Sequence, residues 1–285
     1  STRPGQINLT GGEPFLREDM LELIARLGAM RKSVRFSVLT NGTLLGAKEI
    51  RALKAAKVSF VQLSLDGCQA RHDDLRAPGD YARTLRKAAE LEQHGIRTYI
   101  SFTANRENLA ELPQVARACR EQHISCLWSD RLVPMGRGKE MEALTIGTEA
   151  LPDYLASLRR AKGGVWEQLR FPHTEVRMNR ALQCLGGGQP YRCGAGSSLI
   201  VVDEYGTILP CRRMPIPCGT IYDTTLQEAY WLHPVFQALR EPFQPEGCTS
   251  CTHWAQCFGG ARCQSYALYG DYRHADPACP LQHFT

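Results

Sequence analysis

Cysteine spacing constrains this chain more than any other feature. Cys248, Cys251, Cys257, Cys263 and Cys279 follow one another near the C-terminus, and Cys184, Cys193 and Cys211 stand just upstream, eight of the twelve cysteines in all. Hydrophobic filling does not produce such order. A C-x2-C pair on a tight turn brings two sulfurs to one soft metal, and distant cysteines complete the shell when the chain folds back. Spacing alone leaves three readings open. Disulfides need an oxidising compartment, and no apolar run is long enough for a signal peptide or a transmembrane helix. A zinc ribbon fits Cys248, Cys251, Cys257 and Cys263, and eight cysteines as two sets of four suit two cubane iron–sulfur clusters as well as two zinc ions.

The chain has 285 residues, 43% of them hydrophobic and 22% charged, which suits one or two folded domains and argues against disorder. Its formal charge of +5 is spread along the sequence without a basic block, so nucleic acid is not an expected partner, and neither is a membrane.

The first half alternates short apolar runs with amphipathic segments, the signature of βαβ units and a parallel sheet. Strands are predicted at 6–10, 34–40, 58–65, 96–103 and 124–133, with helices at 18–30, 48–56, 80–94 and 109–122. In parallel α/β folds the loops after the strands gather on one face and carry the site. Those loops hold Gly11-Gly12-Glu13-Pro14, Thr40-Asn41-Gly42, Ser64-Leu65-Asp66-Gly67, Thr103-Ala104-Asn105 and Val133 to Gly138. Cys68, Cys119 and Cys126 lie among these strands and helices, where a small buried hydrophobe is wanted. Arg131 and Arg137 flank the last loop, where a guanidinium is able to pair with a ligand carboxylate.

Beyond Gly138 the pattern changes. A helix is predicted at 148–161, a segment of strand character at 165–177, a β-hairpin at 198–210 turning at 204–206, and one amphipathic helix at 225–239. The expected organisation is 1–140 as a partial barrel, 141–183 as a bridge, and 184–285 as a cysteine-rich domain. The fold class is α/β: a partial (β/α)6 TIM-like barrel followed by a small cysteine-rich α+β domain with a β-hairpin.

A strand leading into Gly-Gly-Glu-Pro and then a string of βα units resembles the S-adenosylmethionine (SAM) domain of radical SAM enzymes. The cysteine array resembles the SPASM extension that follows it. Cys193, twelve residues, Gly206, four residues, Cys211 fits the first part of that extension. Cys248-x2-Cys251-x5-Cys257 fits the second, and Cys279 after Asp276-Pro277 fits the last. The resemblance covers nearly the whole chain. It implies that Gly11, Gly12 and Glu13 meet the methionyl amino group of SAM, with Ser64 and Asp66 near the ribose and Val133 near the adenine. It further implies two auxiliary [4Fe-4S] clusters, one on Cys184, Cys193, Cys211 and Cys263, the other on Cys248, Cys251, Cys257 and Cys279.

Two departures from the family pattern stand out. Ala261 occupies the usual cysteine position after Cys257, with Cys263 two residues later, so Cys263 or the spare Cys218 is a candidate to complete the first cluster. The family also binds a third, SAM-chelating [4Fe-4S] cluster through C-x3-C-x2-C. No such triplet occurs in the sequence, and the resemblance implies that it precedes Ser1.

The activity implied is hydrogen abstraction by a 5′-deoxyadenosyl radical from a ribosomally synthesised precursor peptide, ending in a side-chain crosslink. Flavodoxin or ferredoxin would serve as electron donor, in a cytoplasmic setting. Arg212 after Cys211, where sulfatase-maturing relatives carry an aspartate, argues against formylglycine formation. The alternatives are a maturase acting on a quinone-cofactor precursor or a small metabolite, and a non-catalytic, metal-stabilised relative. No catalytic base is assigned.

Overall fold

Apolar residues recur with sheet and helix periods in the first half, and they build a parallel sheet flanked by helices. The computed structural model describes residues 4–178, 181–245 and 247–281, with the side chain of Arg137 outside that description. Strands β1 (Gln6–Leu9), β2 (Arg35–Leu39), β3 (Val61–Ser64), β4 (Thr98–Ala104), β5 (Cys126–Arg131) and β6 (Glu175–Arg177) form one six-stranded sheet in sequential order. β1 pairs with β2, β2 with β3, β3 with β4 and β5 with β6, each in parallel.

Between the strands run α1 (Met20–Ala29), α2 (Ala47–Ala55), α3 (Gln69–Leu75), α4 (Asp80–Gln93) and α5 (Leu112–Glu121). α5 shows why they form: Leu112, Val115, Ala116 and Cys119 recur at i, i+3, i+4 and i+7 and are all fully buried. At Gly28 a side chain would meet the backbone of Ala56, which lets α1 approach the end of α2 closely. The polar heptapeptide of α3 carries no apolar stripe and buries only His72, so periodicity gives no sign of it.

The chain divides into two compact units, 3–130 with 156–178, and 131–155 with 179–285. The stretch expected to act as a bridge, 141–183, is shared between them. Within it, α6 (Leu151–Lys162) is the predicted helix, whereas the segment of expected strand character splits into α7 (Val165–Arg170) and β6.

The second unit has little regular structure. β7 (Val201–Val202) and β8 (Ile208–Leu209) form the predicted antiparallel hairpin, with Gly206 at φ +82° in its turn. The single helix predicted at 225–239 is two, α8 (Leu226–Leu232) and α9 (Pro234–Arg240). Pro234 explains the break: it has no N–H to continue α8, and it forces His233 into an extended conformation, φ −70° and ψ 130°. Two short helices complete the unit, α10 (Trp254–Cys257) and α11 (Arg262–Tyr269). No helix among the described residues is long and apolar enough to cross a membrane.

Candidate cofactor and cluster site

At the end of β1, Gly11 sits at φ +139°, a conformation closed to other residues, and both Gly11 and Gly12 have open space where a side chain would be. Glu13 is engaged by its neighbours. Its carboxylate accepts from the Thr40 hydroxyl at 2.6 Å, the Asn41 N–H at 2.8 Å and the Phe15 N–H at 3.3 Å. Glu13 therefore ties the loop after β1 to the loop after β2, while the exposed diglycine leaves backbone free to meet a ligand.

Ser64 is the half-buried last residue of β3, and Asp66, just beyond, is buried. One Asp66 carboxylate oxygen accepts from the Thr103 N–H at 3.0 Å and the other from Arg76 at 2.7 Å. The Asp66 N–H donates to His72 Nδ1 at 3.1 Å, which leaves Nε2 as the protonated nitrogen facing Asp80 Oδ2 at 3.0 Å. Asn108 closes the network by donating to the Asp66 and Thr103 carbonyls, each at 2.9 Å. Sequence reasoning missed His72, Asp80 and Asn108. The polar run after Ser64-Leu65-Asp66 was the available signal, but nothing in its spacing says that a histidine is fully buried there.

In the second unit, four of the predicted ligands line one pocket. Cys248, Cys251, Cys257 and Cys279 share its wall with Leu182, Leu185, Trp254 and Asp276. Burial, and after it the charges of Cys279 and Cys251, pushes the Cys248 thiol up to about 11. The Cys257 thiol is pushed up to about 12, by burial first and then by Cys184, Asp276, Cys279 and Cys248. Burial first, and the neighbouring charges after it, thus favour the protonated thiols over thiolates here.

Among the described residues no three His, Cys, Asp or Glu side chains are gathered so as to hold a single metal ion. A tetrahedral zinc site needs sulfurs only about 3.8 Å apart, given Zn–S bonds of about 2.3 Å. Four thiols that line one pocket without converging on one point are a donor set of the kind that several irons share in a cluster.

Asp276 organises the pocket. Its carboxylate receives both Arg131 nitrogens, Nη1 at 3.0 Å and Nη2 at 2.6 Å, and both side chains are buried. It also accepts from the Ala261 N–H at 2.8 Å and the Ala278 N–H at 3.0 Å. Gly260, at φ +90°, has no room for a Cβ because Asp276 packs against it. One carboxylate thus fixes the turn after Cys257 and the approach to Cys279. Arg131 is correspondingly not a ligand-facing guanidinium, contrary to the sequence expectation, and the Arg137 side chain lies outside the described residues.

The other cysteines sit in different surroundings. Cys193 and Cys211 pack against one small core of Ala195, Met214, Leu239 and Tyr272. Cys263 is buried with Ala181 and Ala261, against which Val133 and Tyr191 pack. Cys184 feels the charge of Cys251, and Cys257 that of Cys184, and its neighbours Leu182 and Leu185 line the four-cysteine pocket. Cys218 is buried against Ile208, Ala229 and Phe236, and its thiol donates to the Ile216 carbonyl. In the first unit Cys119 and Cys126 are buried, and Cys68 is half-buried beside Glu111.

Two family descriptions match this chain: the Radical SAM superfamily over residues 3–119, and the SPASM iron-sulfur cluster-binding domain over residues 193–252. A PqqA peptide cyclase of Gluconobacter oxydans is 29% identical over 286 residues, covering 97% of this chain and 77% of the relative. An AdoMet-dependent heme synthase of Methanosarcina barkeri is 29% identical over 297 residues, covering 95% and 81%. Streptococcus suis SuiB bound to S-adenosylmethionine superposes with a TM-score of 0.74 at 17% identity, over 97% of this chain and 66% of SuiB. Native anSMEcpe with bound AdoMet gives a TM-score of 0.75 at 18% identity, over 98% and 81%. At these identities the solved structures speak for the fold.

Proposed function

Because this chain belongs to the radical SAM superfamily and carries a SPASM iron–sulfur domain, we propose that it modifies a ribosomally synthesised peptide by hydrogen abstraction, joining two side chains. The observation that carries the reading is the four-cysteine pocket beneath Asp276, in a chain matched over nearly its full length by a PqqA peptide cyclase. SuiB, whose fold this chain shares, has also been solved with its precursor peptide SuiA.

SAM and its iron–sulfur clusters, when bound, supply a hydrogen-abstracting radical and a route for electrons. The chain's own residues supply the cradle. Gly11 and Gly12 offer open backbone to the methionyl end of SAM, and Glu13 holds the loops after β1 and β2 together beneath it. Asp66 reaches the ribose region through the backbone it braces rather than through a carboxylate already shared by Arg76 and Thr103. Val133, packed against Ala181, Ala261 and Cys263, is assigned to the adenine. Cys248, Cys251, Cys257 and Cys279 hold one auxiliary cluster. Cys193 and Cys211, with Cys184 and Cys263, form the second, looser set, and the SAM-chelating cluster needs the C-x3-C-x2-C motif. An electron donor of the flavodoxin or ferredoxin type completes the cycle.

A tetrapyrrole substrate is the second reading. It is favoured by a relative of equal identity named AdoMet-dependent heme synthase, and by a pre-heme d1 synthase of Dinoroseobacter shibae at 27%. Anaerobic purification separates iron from zinc: the protein should be brown, and Cys257→Ala should bind about four irons fewer per chain. A colourless protein with stoichiometric zinc overturns the cluster assignment. Incubation with SAM, a reductant and candidate precursor peptides, read by mass spectrometry, should show loss of two hydrogens from a peptide. Turnover of a porphyrinogen in place of every peptide would decide for the second reading.

A further inference from the structure

A second pocket in the cysteine-rich unit is lined, among the described residues, by no cysteine, although its arginines are the sequence neighbours of Cys193 and Cys263. Arg192, Pro242, Phe243, Trp254, Phe258 and Arg262 line a hollow of about 250 Å3. Its chemistry is specific. The Arg192 guanidinium lies over the Phe258 ring, 5.5 Å from its centroid, and that of Arg262 over the Phe243 ring at 4.9 Å. Trp254 meets Phe258 edge-on at 6.0 Å. Two cations on aromatic platforms therefore converge on one hollow, and among the described residues no carboxylate forms an ion pair with either arginine.

Arg262 is the more firmly held of the two arginines, and Arg192 is exposed. Arg262 is half-buried and donates to the Leu239 carbonyl at 2.6 Å, which fixes its stem and leaves the rest of its fork available. Phe258 sits at φ +52°, at a helix end where glycine is the least strained residue, and is followed by Gly259 and Gly260. An aromatic ring kept at a strained position forms one wall of the hollow. Trp254 lines this pocket and the four-cysteine pocket alike, so a ligand here lies one side chain from Cys248, Cys251 and Cys257.

We propose that this hollow is a carboxylate subsite, in which Arg192 and Arg262 bind an acidic group carried on an aromatic or aliphatic body while Phe243, Phe258 and Trp254 cover that body. Guanidinium forks match carboxylates, and the aromatic rings beside them offer apolar surface to the rest of the ligand. The inference rests on the substrate reading only for its purpose, which is to anchor an acidic part of the substrate beside the four-cysteine pocket. The chemistry of the hollow is independent of it.

The test needs no turnover. The full-length, cluster-loaded protein is titrated with a fluorescein-labelled acetylated peptide holding one glutamate between two phenylalanines, with its glutamine counterpart, and with a porphyrin bearing carboxylate side chains. The glutamate peptide should bind about tenfold or more tightly than the glutamine peptide. Arg192→Gln should abolish that preference while leaving the iron content unchanged. Trp254→Phe should remove the accompanying change in tryptophan fluorescence. Arg262→Lys keeps the charge but loses the fork, and should give an intermediate preference. Arginine-dependent binding of the porphyrin alone supports the subsite and turns the substrate reading toward tetrapyrroles. Equal binding of both peptides with no arginine-dependent porphyrin binding, or a glutamate preference that survives in Arg192→Gln, overturns the proposal.

Discussion

In the barrel unit, Val61, Leu63, Leu65 and Ile100 are fully inaccessible, and helices with regular apolar stripes cover a six-stranded parallel sheet. Among the described residues of the cysteine-rich unit, β7 and β8 are two residues long, the buried centres of three small clusters hold three or four residues each, and Arg131 and Asp276 form a buried ion pair. One unit is held by apolar area, the other by polar geometry and by whatever its thiols bind. The contrast teaches where each is vulnerable. Apolar burial survives the loss of any single contact, whereas a structure built on one carboxylate and four thiols does not.

The largest effect should come from removing metal. Chelation of the cluster-loaded protein should leave the barrel amides protected from hydrogen exchange and release those of residues 179–281, because ligand binding is folding energy where the apolar core is small. Uniform loss across both units would erase the comparison.

Next is Asp276→Ala. It strands the Arg131 cation in a buried site and frees the Ala261 and Ala278 N–H groups, at a cost of about 3–5 kcal/mol. Denaturant unfolding followed in each unit, together with iron content, should show the cysteine-rich unit failing first. Within the barrel, Leu63→Ala should cost about 2–5 kcal/mol through its cavity, with iron content retained.

The smallest effect concerns pH. Burial raises the Cys126 thiol from 9.0 to about 12. A thiol kept protonated in the fold but free to ionise when unfolded stabilises fully below pH 9, and that contribution is lost as pH rises toward 12. Cys126→Ala should flatten this part of the barrel's stability curve. An unchanged slope would mean that the thiol is not sealed in the core as described.

Legibility in the sequence followed the same division. The barrel was readable because strands buried on both faces and helices with one apolar stripe leave periodic marks. α3 left none, since its apolar Ala70 and Leu75 are exposed and it buries only His72, and the break between α8 and α9 depended on Pro234 alone within an otherwise continuous stripe. At the cysteines, spacing identified thiols that line the pocket but carried no information about Asp276, whose neighbour in space, Arg131, is 145 residues away.

Residue order by itself determined which elements form and which residue types are able to hold a soft metal, since helix and strand periods and C-x2-C turns are local. Tertiary structure decided the rest. It gathered Cys248, Cys251, Cys257 and Cys279 around one pocket, gave Arg131 to Asp276, gave the Asp66 carboxylate to Arg76 and Thr103, and set Arg192 and Arg262 over aromatic rings. Those pairings follow from burial and charge, which act between residues that are close in space, whatever their distance along the chain.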